Sequence, residues 1–511
     1  MINKKKNKLL TFFFTLCFLF GMYSEISAQQ KQATIDSDQS ETPVFPENPP
    51  EDWPTYHLLH PEILRRWSAD PNCAFYYKGR YHMHYLYPAE GGGGLGMVHV
   101  SSKDMVHWKF HPTVLRPANL GHRMLSGTGF FTKEGVPAII YTNNQDNIIL
   151  YAQDDQLDSW SDPQIISPKN AEGITVKGNV WDPDCWLDGD TYYAIGGGKN
   201  PDLKKSTDLK NWEYIGDLMH KDFPSNLGVT PYDDLSCPNM FRIGDKWMLL
   251  GISHALGCRY FIGDFKDGKY LPESHGLMNW EDVNLAAGNS VRTLGTYFAP
   301  ESLLTPDGRR VMWSWLFHED DRLQNGVQSL PRELELSESN TLLIKPLKEL
   351  EGLRYDLNSW TDLIIKNQVD HPLENLRGDA LEIEIVFSPL NASYEINKVG
   401  DMWHIPTSYG IEVLCDENGE NGIPVTVYPS RKTLNIAGVS APLNIPVDQE
   451  TVLRVFIDKG IIEVFANDTQ AMVYAHKRTH QHANHQLTSF QGNINVKNVR
   501  AWKMKSAWKK K

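Results

Sequence analysis

The residues most suited to chemistry in this chain are two aspartates in matching surroundings. Asp70 lies in Trp67-Ser-Ala-Asp-Pro-Asn72-Cys73, and Asp182 lies in Trp181-Asp-Pro183. Carboxyl groups that share a pocket can act as nucleophile, acid or base. Asp-Pro pairs are also common in ordinary turns. Their recurrence here, with a third motif at Ser236-Cys-Pro238, favours one shared pocket.

The spacing of these motifs predicts the architecture that brings them together. Successive pocket candidates are 54 to 63 residues apart, and each precedes a glycine-containing hairpin turn by fewer than ten positions. The candidates are Asp70, Ser126, Asp182, Ser236 and Ala299; the turns are Lys78-Gly79, Glu134-Gly135, Asp188-Gly189, Gly244-Asp245 and Asp307-Gly308. Five such units of short strands predict an all-β fold with a five-bladed β-propeller over residues 52–336. Its first strands would converge on one central funnel.

The pattern changes after the fifth unit. Residues 337–356 are interpreted as a connector, and residues 357–511 are predicted to form a β-sandwich. The strand-like segments of the sandwich are Ala380–Phe387, Tyr409–Leu414, Val425–Tyr428, Val452–Ile457 and Ile461–Phe465.

The N-terminal sequence and the net charge indicate where the protein is located and which partners it is unsuited to bind. Residues 1–28 combine a basic start with an apolar run that is too short for a membrane span, which predicts a secretory signal. Residues 29–51 are polar and proline-rich, which predicts a disordered leader. We therefore expect export to the periplasm or beyond. The net charge of −13 argues against nucleic acid as a partner.

The three motifs together resemble those of family 32 of the glycoside hydrolases, which includes invertases, levanases and inulinases. Ser329-Leu-Pro-Arg332-Glu333-Leu and the sandwich segment Val455–Phe465 also match, so the resemblance runs from about Tyr56 to Trp502. It implies a propeller followed by a sandwich, and an oligosaccharide substrate. It also implies that Asp70 is the nucleophile and that Asp182 stabilises the transition state.

The departures from the family pattern fall in the same pocket. Ser236 stands where the family has its acid/base glutamate, and Trp181 stands where it has an arginine. Ala69, Leu86 and Thr296 replace further residues that hold fructosyl hydroxyls in the family. Because a site built to bond a hydroxyl discriminates strongly, these changes predict a substrate other than an ordinary β-fructoside. Hydrolysis at the non-reducing end remains the expected reaction.

Two residues are candidates for the missing acid. Asp234, next to Asp233, precedes Ser236 by two positions, and a solvated turn is the alternative interpretation. His84 shares a strand face with Leu86 and is a candidate base or acid, unless it is simply buried in the sheet. With Arg123 near a substrate carboxylate, His84 would instead support elimination on a uronate-bearing oligosaccharide. A glycan-binding pseudoenzyme is the third possibility.

The remaining predicted pocket residues are expected to contact substrate. They are Trp67, Asn72, Arg123, Ser126, Trp181 and Ser236. Cys73, Cys185 and Cys237 each adjoin a pocket motif and fit buried packing best, with a disulfide or a thiolate metal site as alternatives. No cofactor and no metal are predicted.

Overall fold

Short strands joined at tight hairpins build seven antiparallel sheets in the described parts of the chain. The computed structural model describes residues 42–62, 68–89, 93–280, 297–317, 326–390, 407–477 and 483–508. The predicted all-β fold class is confirmed. Trp67, Thr296 and the predicted signal (1–28) lie outside the described residues.

Five of the sheets are propeller blades, here blades I to V, each with its strands in chain order from the centre outward. Blade I contains β1 (Pro71–Tyr77), β2 (Arg80–Pro88), β3 (Leu95–Ser102) and β4 (Trp108–Phe110). Blade II contains β5 (Gly127–Phe131), β6 (Pro137–Thr142), β7 (Asn147–Tyr151) and β8 (Gln164–Ile165). Blade III contains β9 (Asp184–Asp188), β10 (Thr191–Gly196), β11 (Asp202–Ser206) and β12 (Glu213–Asp217).

The last two blades follow the same plan. Blade IV contains β13 (Ser236–Ile243), β14 (Lys246–Ser253), β15 (Gly257–Lys266) and β16 (Lys269–Leu277). Blade V contains β17 (Phe298–Leu304), β18 (Arg310–Leu316), β19 (Val327–Gln328), β20 (Arg332–Leu336) and β21 (Leu342–Pro346). A single turn of α-helix, α1 (Pro117–Leu120), separates blades I and II.

The five predicted hairpin turns each join the first and second strands of a blade. The first strands β1, β5, β9, β13 and β17 contact one another in a closed ring. Successive side chains along a strand point to opposite faces, so each strand contributes apolar residues to the interfaces with both neighbouring blades. On β6, Ile139 and Tyr141 pack toward blade I, whereas Ala138 and Ile140 pack toward blade III. This two-sided burial explains why the strands are so apolar.

The boundary after the propeller differs from the prediction. Residues 342–346, assigned to the connector from the sequence, form β21, the outer strand of blade V, because a turn at 337–340 lets them pair with β20. The connector is therefore the short 3-10 helix Lys348–Leu353. Strand β22 begins at Arg354, earlier than the predicted start of the sandwich.

The sandwich is formed by two six-stranded sheets. One sheet has the order β22 (Arg354–Ile365), β33 (Ile494–Met504), β24 (Ala380–Phe387), β29 (Thr451–Asp458), β30 (Ile461–Ala466) and β31 (Gln470–Ala475). The other has the order β23 (His371–Pro372), β32 (Asn484–Phe490), β25 (Ser408–Cys415), β26 (Ile423–Tyr428), β27 (Thr433–Ile436) and β28 (Val439–Pro442), with the 3-10 helix Pro429–Arg431 between β26 and β27. An apolar core fills the space between them.

The sandwich holds the segment that enters the propeller. Asp458, at the end of β29, accepts hydrogen bonds from the backbone N–H groups of Thr55, Tyr56 and His57 and from the His57 ring. The His57 ring also lies 3.2 Å from Glu463 Oε1. Burial alone would lower the pKa of His57, but its two carboxylate partners raise it to about 9. The ring is therefore a buried cation clamped between domains.

None of the helices in the described ranges is long and apolar enough to cross a membrane.

Candidate active site

The pocket forms where the first strands of the blades begin, at an opening on the propeller axis that we call the funnel. In blades I, IV and V the first strand carries a register irregularity near its start. Cys73, Cys237 and Ala299 take positive φ angles of 47°, 46° and 49° there, and Asp182 takes 35° just before β9. Such conformations are costly for residues with a side chain and cluster at functional sites. At the three register irregularities the backbone hydrogen bonds between strands are interrupted. The neighbouring residues are therefore not held in the regular geometry of a paired strand.

Asp70 immediately precedes β1 and is held by two blades. Ser126 Oγ of blade II donates a hydrogen bond to Asp70 Oδ2. Asn72 Nδ2 donates to the Asp70 carbonyl oxygen at 2.6 Å, while Asn72 Oδ1 accepts from Gly127 N at 2.8 Å. Burial raises the pKa of Asp70 above its ordinary value, although the Ser126 hydrogen bond opposes this. Asn72 and Ser126 therefore orient the first carboxylate.

Asp182 presents the second carboxylate from blade III. The Cys237 backbone N–H donates to Asp182 Oδ2 at 3.3 Å, and the Cys237 thiol lies 3.5 Å from the same oxygen. The thiol is also 3.9 Å from Asp70 Oδ2, so one sulfur contacts both carboxylates. Burial, followed by the charge of Asp70, raises the pKa of Asp182 to about 7. The two aspartates are thus a coupled pair near the axis.

Below the pair the axis is nearly filled. Residues from all five blades, among them Pro71, Thr128, Pro183, Cys237 and Glu301, leave only a gap too narrow to hold a water molecule. Glu301 accepts hydrogen bonds from Ala74 N and Asn239 Nδ2, and burial raises its pKa to about 8. These contacts join blades I, IV and V. We interpret this lower layer as the floor that supports the funnel.

Ser236 occupies the position at which the resemblance implies a glutamate. Its hydroxyl accepts a hydrogen bond from Trp181 Nε1 at 3.0 Å and donates to Asp234 Oδ1 at 2.9 Å. Ser236 is fully buried, whereas Trp181 is 38% exposed at the rim. The predicted pocket residues Trp181, Ser236 and Asp234 therefore form one chain of contacts beside the aspartate pair.

His254, which the sequence analysis did not single out, completes this chain. It follows β14, and its Nδ1 and its backbone N–H both bond Asp234 Oδ2, the latter at 2.8 Å. The pairing of Ser236 with Ile252 across the β13–β14 hairpin sets Asp234 opposite His254. Counting outward from the Gly244-Asp245 turn would have set Ala255 opposite Asp234, because the register irregularity between Ser236 and Asn239 shifts the pairing by one residue.

His84 lies outside this chain. It points toward blade II and has no exposed surface; its Nδ1 bonds the Cys73 carbonyl oxygen at 3.0 Å, and its ring stacks on His99. Burial lowers the pKa of His84 to about 4. A side chain without exposed surface cannot take a proton from a bound sugar, which corrects the predicted base role. The eliminative alternative loses its base for the same reason.

His84 belongs to a group that we call the histidine cluster: His82, His84, His99, His111 and Asp158. His99 Nδ1 and His111 Nδ1 lie 3.2 and 3.0 Å from Asp158 Oδ1. Together with the aspartate they offer three possible metal-ligand atoms within 4.8 Å of one another. The atoms are already bonded to one another, so the cluster is complete without an ion.

The structure also locates two other predicted features, namely Arg123 and the three cysteines beside the pocket motifs. Arg123 is exposed, three residues before Ser126. Cys73, Cys185 and Cys237 are free thiols in the described structure, and burial raises the pKa of each well above its ordinary value. Cys73 and Cys185 are buried packing residues, whereas Cys237 is only partly buried and contacts both site aspartates.

Comparison with known proteins agrees with this geometry. The model for the N-terminal domain of glycosyl hydrolases family 32 matches residues 60–346, and the model for the C-terminal domain of that family matches residues 349–503. The chain belongs to glycosyl hydrolase family 32. This family 32 protein is 27% identical over 457 residues to sucrose-6-phosphate hydrolase from Escherichia coli, covering 82% of this chain and 88% of that protein.

A further sequence relative and a solved structure are also similar to this chain. A levanase from Bacillus subtilis is 27% identical over 468 residues, covering 82% of the family 32 chain and 65% of the levanase. The crystal structure of fructan 1-exohydrolase IIa from Cichorium intybus superposes with a TM-score of 0.72 at 18% identity, covering 89% of this chain and 98% of that one. The shared fold is that of a glycosidase-like enzyme, and the site holds two of the three carboxyl groups of the family pattern, with Ser236 in place of the third.

Proposed function

We propose that this enzyme hydrolyses the terminal glycosidic bond at the non-reducing end of an oligosaccharide, with retention of configuration. The observation that carries the proposal is the pair Asp70 and Asp182, both bonded to Cys237 at the funnel. Retaining cleavage needs one carboxylate to attack the anomeric carbon and a second group to transfer protons. Asp70, held by Ser126, is the nucleophile. The first strands of the five blades form a closed ring beneath the pair, which favours attack at a chain end.

Asp182 stabilises the positive charge that develops on the sugar ring in the transition state. For that role it must be ionised, and its pKa of about 7 means that a large fraction is protonated in mildly acidic solution. We therefore expect the acidic limb of the rate profile to rise toward neutral pH. A profile that is flat from pH 5 to 8 would contradict this role for Asp182.

We further propose that the terminal sugar is not an unmodified β-fructoside. Ala69 and Leu86, which replace hydroxyl-binding residues of the family pattern, are each 4% exposed and pack in the apolar core between blades I and II. The Trp181 N–H is already committed to Ser236. The wall beside Asp70 therefore presents few donors, which suits a sugar with an apolar face or fewer free hydroxyls. Two of the relatives are named as a sucrose-6-phosphate hydrolase and a levanase, so fructosides are included among the test substrates.

The decisive experiment is a panel of oligosaccharides, fructans included, incubated with the purified protein in ¹⁸O-labelled water. We expect release of one terminal sugar that carries the label at its anomeric carbon, from a substrate other than the fructans. Asp70→Ala should abolish release, whereas Asp190→Ala, at a fully exposed aspartate in the β9–β10 turn, should retain it. Release of fructose from fructans at comparable rates would overturn the substrate proposal. Binding without release by the wild-type protein would instead indicate a glycan-binding protein.

We also propose that the protein is exported, because the predicted signal precedes the matched domains. Expression of the full chain should give a mature N-terminus near Gln29, measured by mass spectrometry of the extracellular and periplasmic fractions. An intact N-terminus on cytoplasmic protein alone would contradict export.

A further inference from the structure

We infer that His254, oriented by Asp234, is the group that protonates the leaving oxygen and later activates water. This dyad, defined as Asp234 and His254, would replace the glutamate that the family pattern has at Ser236. The inference rests on the proposed hydrolytic function. It goes beyond that function because it assigns the proton transfer to residues outside the motif.

The geometry fixes the imidazole in one orientation. Both the backbone N–H and Nδ1 of His254 bond the same oxygen of Asp234, so the side chain and the main chain of one residue engage one carboxylate. With Nδ1–H donating to Asp234, Nε2 is the atom left for a substrate. Nε2 has no hydrogen-bond partner within the ranges that the structure describes, and the side chain is 31% exposed. The ring also packs edge-to-face on Phe298 at 5.6 Å, which limits its rotation.

Asp234 is held by three residues, His254 and Ser236 at its carboxylate and Arg259 at its main chain. Ser236 Oγ donates to Oδ1 of Asp234, and the buried Arg259 guanidinium donates to its main-chain carbonyl. Burial alone would raise the pKa of Asp234, but the bonds from His254 and Ser236 outweigh it and hold the pKa below its ordinary value. An ionised Asp234 stabilises a protonated imidazole, as a general acid requires.

The dyad lies within electrostatic reach of the aspartate pair. The positive charge of His254 lowers the pKa of both Asp70 and Asp182, against the raising effect of burial. The charged or titratable groups around the dyad are Asp70, Asp182, Cys237, Asp233 and Arg259. His254 is the cationic donor among them that also has exposed surface, since Arg259 is 1% exposed.

His254 gives a proton in the first step of the reaction and takes one back in the second. As Asp70 forms a bond to the anomeric carbon, the glycosidic carbon–oxygen bond breaks and the leaving oxygen takes the Nε2 proton of His254. Water then attacks the anomeric carbon while neutral Nε2 takes a proton from it, and the bond to Asp70 breaks. The imidazolium and the free carboxylate are restored.

The test compares two leaving groups in the variant His254→Gln. The substrates are the oligosaccharide that the panel identifies and the p-nitrophenyl glycoside of the sugar that it releases. We expect kcat/KM to fall by about 10²–10⁴-fold on the oligosaccharide but by less than about tenfold on the p-nitrophenyl glycoside, whose leaving group needs no proton. Azide, which attacks without a base, should restore turnover of the variant and yield a glycosyl azide.

Two further variants separate the dyad from other causes. His107→Gln removes the ring of a surface His–Asp pair, His107 and Asp104 at 2.8 Å, and should match the wild type on both substrates. Asp234→Asn should give the leaving-group pattern of His254→Gln in a weaker form, because the imidazole loses the acceptor that fixes its orientation. A purely structural role for Asp234 would lower the rate equally on both leaving groups.

The outcomes are distinguishable. A wild-type protein that releases no sugar from any panel substrate overturns the proposed function and this inference together. A wild-type protein that hydrolyses substrate, with His254→Gln losing activity equally on both leaving groups or not at all, overturns this inference alone. If Asp182→Asn shows the leaving-group pattern and azide rescue instead, Asp182 is the proton donor.

Discussion

The histidine cluster and the dyad both pair histidine with aspartate, but of these two groups only the dyad is built to act on a ligand. In the histidine cluster between blades I and II, His99 Nε2 lies 2.9 Å from His82 Nδ1, and His111 Nε2 lies 2.7 Å from Ser101 Oγ. In the dyad, one ring nitrogen of His254 is bonded and the other is not. His84 Nε2 in the cluster also has no hydrogen-bond partner in the described structure, but it is fully buried, whereas the unbonded nitrogen of His254 belongs to a partly exposed side chain.

Burial accounts for the different charge states. His84 and His99 have at most 2% exposure, and burial lowers the pKa of both, so their rings stay neutral while Asp158 remains ionised. Neutral N–H groups satisfy a buried carboxylate without adding a second buried charge. His254, by contrast, keeps access to solvent. The comparison shows that a His–Asp pair gains a chemical role through an unbonded, accessible nitrogen, not through the pairing itself.

Among substitutions that test this comparison, the largest effect is expected for one at Asp158. Asp158→Ala leaves two buried ring N–H groups without their acceptor, which should cost about 2–3 kcal/mol in the free energy of unfolding. Activity per folded molecule should be unchanged. Urea unfolding and kcat on the panel substrate measure both. Asp155→Ala, at a neighbouring exposed aspartate, is the control and should cost about 0.5 kcal/mol or less. Lost activity in folded Asp158→Ala protein would give the cluster a chemical role.

A smaller effect, of opposite sign, is expected in the funnel. The pKa of Asp182 is raised to about 7 in the folded protein from an unfolded value near 3.8. Between these values the folded state binds the extra proton, so this contribution to stability is present at low pH and is lost as the pH rises through about 7. Asp182→Asn should therefore raise the melting temperature by a few degrees at about pH 8.

The gain from Asp182→Asn should shrink toward pH 4, where the wild-type carboxyl is largely protonated as well. Thermal unfolding across the pH range tests this, with Asp190→Asn as the exposed control. A pH-independent gain would mean that packing, not charge, is responsible.

The smallest effect is expected from metal ions at the histidine cluster. Because His99 Nδ1 and His111 Nδ1 already donate to Asp158, a metal ion would have to displace both protons and their bonds. Zinc or a chelator should therefore change the melting temperature by less than about 1 °C. A rise of several degrees with zinc that disappears in His111→Gln would show that the cluster is a metal site.

Much of the fold follows from local sequence features. Each of the five glycine-containing turns has a spacing and composition that only a hairpin accommodates well, and the five repeats then require a closed ring. The end of blade V was misplaced because β20 and β21 are joined by a Ser-Glu-Ser-Asn turn, without the glycine that marks the other hairpins. Weak turn chemistry, not a weak strand, caused that error.

The site was partly predictable for a different reason. Asp70, Ser126, Asp182 and Ser236 could be predicted to lie together because each begins the first strand of a blade or precedes it by one or two residues. The prediction that His84 lies in the pocket was wrong. Alternation along a strand identifies the face of a blade but not the distance of a residue from the propeller axis. That face of β2 is covered by blade II. His254 depends on pairing across a hairpin, which a search for motifs along the chain does not examine.

The contact between Asp458 and the segment that enters the propeller has a consequence for the order of events during synthesis. Thr55 and its carboxylate partner are 403 residues apart in the chain. A ribosome has therefore made all five blades before it makes the residue that fixes the start of the first one. A nascent chain ending at Pro346 would hold all five blades and the bond from Gln328 N to the Leu58 carbonyl, but not the contact of the entry segment with Asp458. That contact can form only after β29 has been made, so the last fastening of the propeller follows the synthesis of all its blades.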